Sequence, residues 1–382
     1  MLDQDVYSYS VGQLVSHFHS NVQVEYEFIN RGKTQFPPGF AQRLRREVDA
    51  MASLRLQDDE YDYLREKCYY LNPNYLDMFR GYRYNPNHVI IRQIVGELFV
   101  TVVAPWYEAV YWEVPLLAII SELYYEMTNQ YPLMPAIGGD ASTWQDRLTV
   151  KLRKMSNEGC KVAEYGTRRR FSFAVQNEVV ERMKEFSCTL GTSNILLAKN
   201  HDLNAIGTIS HQLSMGYACL YGYRQATPQI LKDWVEVYQG ELGIALPDTF
   251  TFPVFLQSFN SLYAKLFDCL RHDSGDYQWF TMMAIDHYRR LRIDPLSKVI
   301  VYSDGLNDDK AIEIHKFAKG KIQTRFGIGT ALSNDVGRTP LNIVMKLSKC
   351  AGRPAVKISD SPGKECGLPE AISHCKYDLG IH

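Results

Sequence analysis

The residues with the clearest chemical potential in this chain are charged side chains that follow short apolar runs. The segment Arg271-His-Asp-Ser-Gly-Asp276 brings a cation, two carboxylates and a glycine together. A carboxylate such as Asp273 can accept both hydroxyls of a ribose diol or hold Mg²⁺ through water, and Arg271 can pair with a phosphate or a carboxylate. A turn-rich surface loop has the same composition, so this segment alone leaves both interpretations open.

A second candidate carboxylate is Asp304, which ends the strand-like segment Lys298-Val-Ile-Val-Tyr-Ser-Asp304. Asp304 is followed by Gly305, and an Asp-Gly pair on its own favours a plain turn. Together with Asp273, however, Asp304 gives two carboxylates that can bind one sugar.

A phosphate site is indicated by Phe326-Gly-Ile-Gly-Thr330, which follows another strand-like run. Gly327 and Gly329 let backbone N–H groups approach a phosphate, and Thr330 can donate its hydroxyl and cap the next helix. Phosphate sites are common after the last strands of a (β/α) barrel, which favours this interpretation over a simple glycine turn.

Two further segments can recognise an anion. Tyr165-Gly-Thr-Arg-Arg-Arg170 carries three successive arginines, which cannot all face one ligand. We expect one or two of them to face an anionic substrate and the rest to lie in solvent or at a subunit contact; a fully solvated basic run is the alternative. Gly191-Thr-Ser-Asn194 offers uncharged donors at a helix start, where it either binds an anion or only caps the helix.

The segment Ala205-Ile-Gly-Thr-Ile-Ser-His211 places an imidazole shortly after a strand. Neutral imidazole is a capable nucleophile toward phosphorus and titrates near neutral pH. A single histidine is more often structural than catalytic, so the pattern alone favours a structural role for His211.

The elements that position these residues follow from the hydrophobic pattern. From about residue 160, short apolar runs that end in Gly, Thr, Ser or Asp alternate with helical patterns, which predicts βα units and a parallel sheet. Polar residues at the strand ends favour a (β/α) barrel, because barrel active sites lie on that face. The helices predicted in this part of the chain cover residues 172–186, 227–242, 279–291 and 308–319.

The first 125 residues mix strands and helices. Strands are predicted at residues 22–28, 89–91 and 98–103, and helices at residues 39–56 and 112–127. Residues 341–347 and 355–359 are strand-like again, and we expect them to rejoin this sheet. The prediction is an α/β protein with an N-terminal α+β domain of residues 1–125, completed by residues 341–382, and an α/β barrel domain of residues 126–340.

Composition narrows the partners and the compartment. The net charge of −1 gives no electrostatic basis for a nucleic-acid or membrane partner. The N-terminus has acids in place of a basic signal region, and Glu108 and Glu113 interrupt the most apolar stretch, so we expect neither a secretory signal nor a membrane span. The eight cysteines form no CxxC pair, which favours reduced thiols in a cytoplasmic protein over disulfides or a zinc site.

Taken in chain order, these segments are far more specific than any one of them. The motifs GTRRRFS, GTSN, IGTxxH, RHDSGD, SDGL and FGIGT lie between Leu2-Asp-Gln-Asp-Val-Tyr7 and Lys357-Ile-Ser-Asp-Ser-Pro-Gly-Lys364. In this order they resemble the nicotinate phosphoribosyltransferases over nearly the whole chain. The resemblance implies a reaction of nicotinate with 5-phosphoribosyl-1-pyrophosphate that gives nicotinate mononucleotide and pyrophosphate, in NAD biosynthesis or salvage.

The resemblance also implies a fold, partners and cofactors. The implied fold is an irregular α/β barrel with a second, sheet-containing domain, assembled as a homodimer whose active sites lie near the subunit interface. The implied chemistry includes coupled ATP hydrolysis, Mg²⁺ and a transiently phosphorylated histidine, which matches His211.

At the pyridine end of the implied site, Tyr165 matches an aromatic residue that stacks on the ring. Tyr7 matches one that stacks on it from the partner subunit, and Arg168 matches an arginine near the ring carboxylate or the phosphates. Thr192 and Ser193 belong to a GTS motif. At the same position, relatives that use nicotinamide have a sequence that looks like GTD. A neutral, donating Ser193 therefore favours nicotinate over the amide.

At the sugar end, the resemblance implies that Arg271, Asp273 and Asp304 surround the ribose and pyrophosphate. Gly327, Gly329 and Thr330 match a cradle for the 5′-phosphate. Two positions depart from the family pattern. Ser8 stands where a lysine is frequent, which removes a phosphate contact, and Gln212 stands where an acid beside His211 could orient the ring and support ATP coupling.

Two alternatives to this function come from different classes. One is a related phosphoribosyltransferase for nicotinamide or quinolinate, and Ser193 argues against the amide. The other is a catalytically silent nucleotide-binding or scaffold protein of the same fold, and the presence of His211, Asp273 and Asp304 argues against it.

Overall fold

Two β-sheets organise the chain. The structure, a computed structural model, describes residues 1–133 and 143–381. In these ranges the strands are β1 (Gln23–Asn30), β2 (Val89–Ile94), β3 (Glu97–Pro105), β4 (Val162–Glu164), β5 (Thr189–Thr192), β6 (Asn204–Ala205), β7 (Ile244–Ala245), β8 (Cys269–His272), β9 (Val299–Tyr302), β10 (Gln323–Ile328), β11 (Ile343–Cys350) and β12 (Arg353–Pro354).

Helices surround both sheets. In the same ranges the α-helices are α1 (Val6–Phe18), α2 (Phe40–Ala50), α3 (Asp58–Lys67), α4 (Pro73–Gly81), α5 (Trp106–Ala109), α6 (Glu113–Met127), α7 (Trp144–Asn157), α8 (Phe173–Met183), α9 (Ile195–His201), α10 (His211–Tyr221), α11 (Tyr223–Tyr238), α12 (Phe252–Ser258), α13 (Ser261–Leu266), α14 (Tyr277–Arg290), α15 (Asp308–Ala318), α16 (Thr330–Ser333) and α17 (Pro369–Leu379). The four helices predicted after residue 160 are confirmed as α8, α11, α14 and α15, with ends shifted by a few residues.

The larger sheet is parallel, with the strand order β6-β5-β4-β10-β9-β8-β7. It curls into a half-barrel, and its edge strands β6 and β7 are not paired with each other in the described residues. All four residues of β9 are buried, as a parallel strand covered on both faces requires. The predicted α/β fold class is confirmed, with a half-barrel as its parallel sheet.

The smaller sheet is antiparallel, with the strand order β12-β11-β1-β3-β2. Its central strand β1 pairs with β3 on one side and with β11 on the other, so a C-terminal strand completes an N-terminal sheet. This pairing confirms the expectation that residues 341–347 rejoin the sheet. The exact domain boundaries at residues 125 and 340 stay predictions.

The predicted strand at residues 355–359 was wrong. Ala355 N still donates to Ser348 O of β11, but the segment then leaves the sheet, and the N–H groups of Lys357 and Ile358 donate to Cys366 and Thr249 in loops. Alternating apolar residues are buried here by the surrounding loops, without a neighbouring strand. The consequence is that the Lys357 side chain is carried into the cavity described below.

Polar residues of the strand–helix loops cap the helices that follow them. Ser172, Asn194, Asp276 and Asn307 accept a backbone N–H at the starts of α8, α9, α14 and α15 respectively. Asp276, the second carboxylate of the RHDSGD segment, is thus a helix cap. Since these caps follow parallel strands, the helices begin at the carboxyl edge of the half-barrel.

Helix α10 connects the two sheets. Its Gly216 packs against the fully buried Trp106, and a Cβ added at Gly216 would lie 2.2 Å from the indole. Any larger residue would push α10 away from the end of β3, so this close approach fixes where the helix starts.

The remaining expectations about class concern membranes and thiols. Among residues 1–133 and 143–381, none of the helices has both the length and the apolar character that crossing a bilayer requires. All eight cysteines lie in these ranges as free thiols.

Candidate active site

A cavity of about 550 Å³ lies where the carboxyl edge of the half-barrel faces β1 and β11 of the antiparallel sheet. Its walls are mainly polar side chains that follow the parallel strands. Ten of the predicted residues line it: Tyr7, Tyr165, Arg168, His211, Arg271, Asp273, Asp304, Gly327, Gly329 and Thr330. The other two, Thr192 and Ser193, are not among its lining residues.

His211 is the first residue of α10 and is held in a buried polar cluster. Its Nε2 lies 2.8 Å from Asp248 Oδ1 and 2.8 Å from Lys357 Nζ. Lys357 Nζ donates to Asp248 Oδ2 at 3.1 Å, and Ser274 Oγ donates to the same oxygen at 2.6 Å. Asp273 Oδ2 is 3.7 Å from Nε2. Charged groups from three remote loops therefore face one nitrogen of the ring.

The charge state of this cluster suits a nucleophile. Burial and the Lys357 ammonium lower the pKa of His211 to about 4, although Asp248 acts in the opposite direction. Burial would raise the pKa of Asp248, but His211 and Lys357 hold it well below its ordinary value. At neutral pH the imidazole is therefore uncharged and lies beside Lys357 and the ionised Asp248, so it keeps the lone pair that attack on phosphorus requires.

Arg271 and Asp273 form a second rigid unit. Arg271 donates to Asp273 Oδ1, Ser303 Oγ and Thr208 Oγ1, each at 2.7 Å. Ser303 Oγ also donates to Asp273 Oδ1 at 2.6 Å. Burial would raise the pKa of Asp273, but Arg271 and His211 hold it well below its ordinary value. Asp273 is thus an ionised carboxylate with its second oxygen directed at the cavity and His211.

Asp304, the other predicted carboxylate, is paired within the chain. Lys364 Nζ donates to both of its oxygens, at 2.8 and 2.9 Å. Both side chains are partly exposed and both line the cavity. A sugar hydroxyl that binds Asp304 must share the carboxylate with this ammonium or displace it.

The two glycines of the FGIGT segment make room for Tyr165. A Cβ at Gly327 would lie 2.3 Å from the Tyr165 ring, and one at Gly329 would lie 3.1 Å from the Tyr165 carbonyl oxygen. The predicted helix cap at Thr330 was wrong, because Thr330 is the first residue of α16 and Gly329 precedes it without a side-chain cap. The glycines therefore seat an aromatic ring as well as lining the cavity.

Tyr7 reaches the cavity of its own chain, which corrects the expectation that it acts from the partner subunit. Val6 N donates to Ser193 O at 2.9 Å, and Asp5 forms an isolated bridge with Asn194, so the start of α1 is tied to the loop after β5. The Arg168 guanidinium lies 5.7 Å from the centre of the Tyr7 ring.

The three successive arginines have different environments. Arg168 and Arg169 line the cavity, whereas Arg170 donates to both oxygens of Asp3 at 2.8 Å and is buried. Arg170 is therefore in a buried ion pair, and not in solvent or at a subunit contact as expected.

Uncompensated positive charge surrounds the cavity. Burial, then Arg168 and Arg31, lower the pKa of Arg169 to about 10. Burial, then Lys357, lower the pKa of Lys346 to about 8. Such shifts arise where cations are desolvated near other cations, and binding a polyanion would relieve them.

Thr192 and Ser193 lie one layer behind the cavity. Thr192 Oγ1 donates to Glu164 Oε2, and Ser193 Oγ donates to Asp5 Oδ1, both at 2.7 Å. Asp5 Oδ2 in turn lies 3.7 Å from Arg168 Nε. Ser193 therefore contacts the cavity only through Asp5 and Arg168, and its hydroxyl is already donated.

The two departures from the family pattern have distinct surroundings. Ser8 is buried and donates to Gln4 Oε1 at 3.0 Å, so this position makes no phosphate contact. Gln212 follows His211 but contacts different groups: its Oε1 accepts from Tyr26 and its Nε2 donates to Glu113 at 3.2 Å. The orientation of His211 comes from Asp248 and Lys357, so an acid at position 212 is not needed for it.

Several residues of the site were not predicted. Asp248 follows a two-residue strand and has no motif around it. Arg31 follows the predicted strand of residues 22–28, and Glu113 and Lys346 lie in a predicted helix and a predicted strand to which no role in the site was given. Lys357 was visible in the sequence as the start of its motif, but the strand prediction concealed its role. A charged residue that interrupts an apolar run was the available signal for Glu113 and Lys346.

Family models identify the chain on nearly its whole length. The nicotinate phosphoribosyltransferase (NAPRTase) family model matches residues 160–380, and the model of the NAPRTase N-terminal domain matches residues 2–121. The chain belongs to the nicotinate phosphoribosyltransferase family. A family member named nicotinate phosphoribosyltransferase from Desulforapulum autotrophicum is 45% identical, over 98% of this chain and 97% of its own length. One from Chromohalobacter salexigens is 41% identical, over 100% and 98%.

Solved structures of the family have the same fold. The crystal structure of nicotinate phosphoribosyltransferase from Porphyromonas gingivalis matches with a TM-score of 0.93 at 38% identity, over 100% of this chain and 99% of that one. A putative nicotinate phosphoribosyltransferase from Saccharomyces cerevisiae matches with a TM-score of 0.93 at 30% identity, over 100% and 98%. The similarity extends through both sheets, so the cavity lies within the region shared with the family.

Proposed function

We infer that this protein is a nicotinate phosphoribosyltransferase, which joins nicotinate to 5-phosphoribosyl-1-pyrophosphate and releases nicotinate mononucleotide and pyrophosphate in NAD salvage. The observation that carries this function is one cavity that combines an aromatic and arginine wall, two carboxylates and a surrounding group of cations. These are the groups that a flat anionic ring, a ribose and a diphosphate require.

The pyridine ring is proposed to bind at the Tyr7 and Tyr165 end of the cavity. Aromatic side chains pack well against a flat heteroaromatic ring. Arg168, whose guanidinium lies beside Tyr7, is the cation for the ring carboxylate. The ring nitrogen attacks through its lone pair, so the enzyme supplies orientation and needs no base for this step.

The phosphoribosyl group is proposed to bind along the ends of β8, β9 and β10. Asp273 and Asp304 face the ribose hydroxyls, and Gly327, Gly329 and Thr330 lie next to the 5′-phosphate. As the bond from C1 to pyrophosphate breaks, the sugar gains oxocarbenium character. Carboxylates near the ring and cations such as Arg31 and Lys346 near the leaving group both stabilise this separation of charge.

We propose that His211 is transiently phosphorylated and couples ATP hydrolysis to turnover. Its uncharged ring, its neighbouring cation Lys357 and its ionised partner Asp248 support this role. The phosphoryl group changes the charge of the site that binds substrate and releases product, which is a coupling role and not part of glycosidic bond formation.

Mg²⁺ is proposed to bind with the diphosphate. His211, Asp248 and Asp273 offer ligand atoms within 4.8 Å of one another, but Lys357 Nζ already lies within hydrogen-bond distance of His211 and Asp248. These three residues therefore do not fit a divalent ion. Asp273 has an oxygen directed at the cavity, and Asp304 would be free as a second ligand once Lys364 is displaced from it. These carboxylates, together with substrate phosphates, would hold Mg²⁺, which would supply positive charge for the leaving diphosphate.

We further propose that the protein is a cytoplasmic homodimer with domains divided near residues 125 and 340. The homodimer is supported by the outer face of β2 and β3, which a second subunit would cover. The apolar side chains exposed on this face are those of Ile90, Ile94, Phe99 and Val103. The free thiols support a reducing compartment.

The direct test incubates the pure full-length chain with labelled nicotinate, 5-phosphoribosyl-1-pyrophosphate and Mg²⁺, with and without ATP. We expect labelled nicotinate mononucleotide in both conditions and more of it with ATP. Parallel reactions with nicotinamide and quinolinate test the related activities. No mononucleotide from nicotinate under any condition would contradict the function.

Replacing Ser193 by aspartate is expected to raise the KM for nicotinate by roughly tenfold or more. The new carboxylate would lie beside Asp5, which Ser193 now contacts at 2.7 Å, and would add negative charge behind Arg168. Steady-state kinetics with nicotinate check this. Ser193→Ala, which loses the hydrogen bond without adding charge, is the control and should have a smaller effect. Unchanged nicotinate kinetics in Ser193→Asp would refute the prediction.

A further inference from the structure

Gln212 and His211 are neighbours in sequence, but their side chains serve different parts of the cavity. Successive residues of an α-helix point about 100° apart. At the start of α10 this turns His211 toward Asp248 and Lys357, and turns Gln212 toward Tyr26 and Glu113. Gln212 is therefore placed to act on the pyridine end of the site through Glu113.

The orientation of the Gln212 amide is determined by its partners. Its Oε1 accepts from the Tyr26 hydroxyl and lies 3.5 Å from Trp106 Nε1, and both of these groups are donors. Its NH₂ group must then face Glu113 Oε2, at 3.2 Å. Gln212 and Glu113 are both buried, although both line the cavity.

Glu113 connects this amide to Arg168. Its other oxygen, Oε1, lies 3.5 Å from Arg168 NH1. One oxygen of the carboxylate is thus held by a neutral donor and the other faces the guanidinium. The titratable and charged groups around Glu113 from the neighbouring elements are Arg168, Lys346, Tyr7, Tyr26 and, across Arg168, Asp5.

We propose that Gln212 is a positioning residue for nicotinate binding, which acts by holding the Glu113 carboxylate in place beside Arg168. An amide donates to the carboxylate at every pH, so the geometry of Arg168 does not depend on a proton at position 212. The inference rests on the proposed function, because it assigns the ring carboxylate to Arg168.

An acid at position 212 would behave differently. Two carboxylates this close cannot both be ionised without a large cost, so they would share one proton, and the pKa of the pair would be raised. While the proton is present, the introduced acid would donate to Glu113 as the amide does. Once the proton is lost at higher pH, the two acids would repel each other and Arg168 would be drawn away from the ligand.

The test is the pH dependence of the KM for nicotinate in Gln212→Glu, measured at saturating 5-phosphoribosyl-1-pyrophosphate. We expect a KM close to that of the wild type at pH 6 and one raised roughly tenfold at pH 8.5, with kcat and the KM for the phosphoribosyl donor little changed. Gln229→Glu is the matched control. Gln229 donates to the buried Asp233 at 2.7 Å in the same way, but it does not line the cavity.

A double variant keeps the inference falsifiable if Gln212→Glu fails to fold. Glu113→Gln with Gln212→Glu restores one acid and one amide, but moves the charge away from Arg168. We expect its KM for nicotinate to be raised at all pH values without a pH slope. A flat, wild-type KM profile in Gln212→Glu, or a wild-type KM in the double variant, would overturn the inference. Failure of the wild type itself to use nicotinate would instead reject the proposed function.

Discussion

Replacing Asp273 by asparagine is expected to lower kcat/KM for mononucleotide formation by roughly two to three orders of magnitude. Asp273 accepts from Arg271 and Ser303 through one oxygen and faces the cavity with the other. Asparagine keeps the size and part of the hydrogen bonding but removes the negative charge. The loss therefore acts mainly on the transition state, in which the sugar becomes positively charged.

The same loop supplies a control for this change. Asp276 belongs to the same segment, but its carboxylate accepts Trp279 N at 2.8 Å as the cap of α14. Asparagine is also a good helix cap, so Asp276→Asn should leave both stability and kcat/KM nearly unchanged. Thermal unfolding of both variants separates a folding defect from a catalytic one. Wild-type activity in Asp273→Asn would show that this carboxylate does not stabilise the reacting sugar.

The pH dependence of Asp273 follows from its neighbours. Arg271 and His211 hold its pKa well below its ordinary value, so the group stays ionised as the pH falls through the usual range for aspartate. Its contribution to catalysis should accordingly persist down to pH values at which an ordinary aspartate is protonated. If Arg271 were removed, burial would raise the pKa of Asp273 without the guanidinium to oppose it. As the pH falls, the catalytic contribution of Asp273 would then be lost at a higher pH than in the wild type.

Elements that are set by a local pattern could be predicted from the sequence. Helices such as α8 and α15 could be predicted because each has an apolar stripe and a capping residue, Ser172 and Asn307. The residues that end parallel strands, such as Asp273 and Asp304, could be predicted to meet because carboxyl ends of neighbouring strands share one edge.

Side-chain contacts that depend on partners remote in sequence could not be predicted. The side-chain directions of Ser193 and Gln212 are decided by Asp5 and Glu113, and no local pattern encodes those pairings. Asp248 approaches His211 from a loop after the two-residue strand β7, which is too short to show a periodicity. Lys357 lies in an apolar alternation that loops bury as well as a strand would, so the pattern predicted the wrong element.

Replacing His211 by alanine is expected to abolish the stimulation of turnover by ATP and the incorporation of labelled phosphate into the protein, while slow ATP-independent synthesis remains. Coupling free energies of this kind typically correspond to a change of about 5- to 150-fold. The turnover rate of the wild type should therefore fall by a factor in this range when ATP is omitted. The variant should give the same rate with and without ATP. ATP-independent synthesis persists because His211 takes no part in the attack of the nicotinate nitrogen on the sugar.

The cluster around His211 makes this variant informative. Asp248 and Lys357 contact each other directly at 3.1 Å, so they remain paired when the imidazole is removed. No buried charge is left without a partner, and a large loss of stability is not expected. His201→Ala is a matched control, because His201 contacts Asn177 at 2.9 Å and does not line the cavity.

The pH profile of phosphate incorporation distinguishes this histidine from an ordinary one. Burial and then Lys357 lower its pKa to about 4, so the nucleophilic neutral ring predominates at pH 5.5 as it does at pH 7. A histidine with an unperturbed pKa of about 6.5 would be mostly protonated at pH 5.5 and would react several-fold more slowly. We therefore expect incorporation of labelled phosphate from ATP to be nearly equal at the two pH values. Full ATP stimulation in His211→Ala would remove the phosphohistidine role, and it would leave Asp248 and Lys357 as a structural ion pair beside the ribose site.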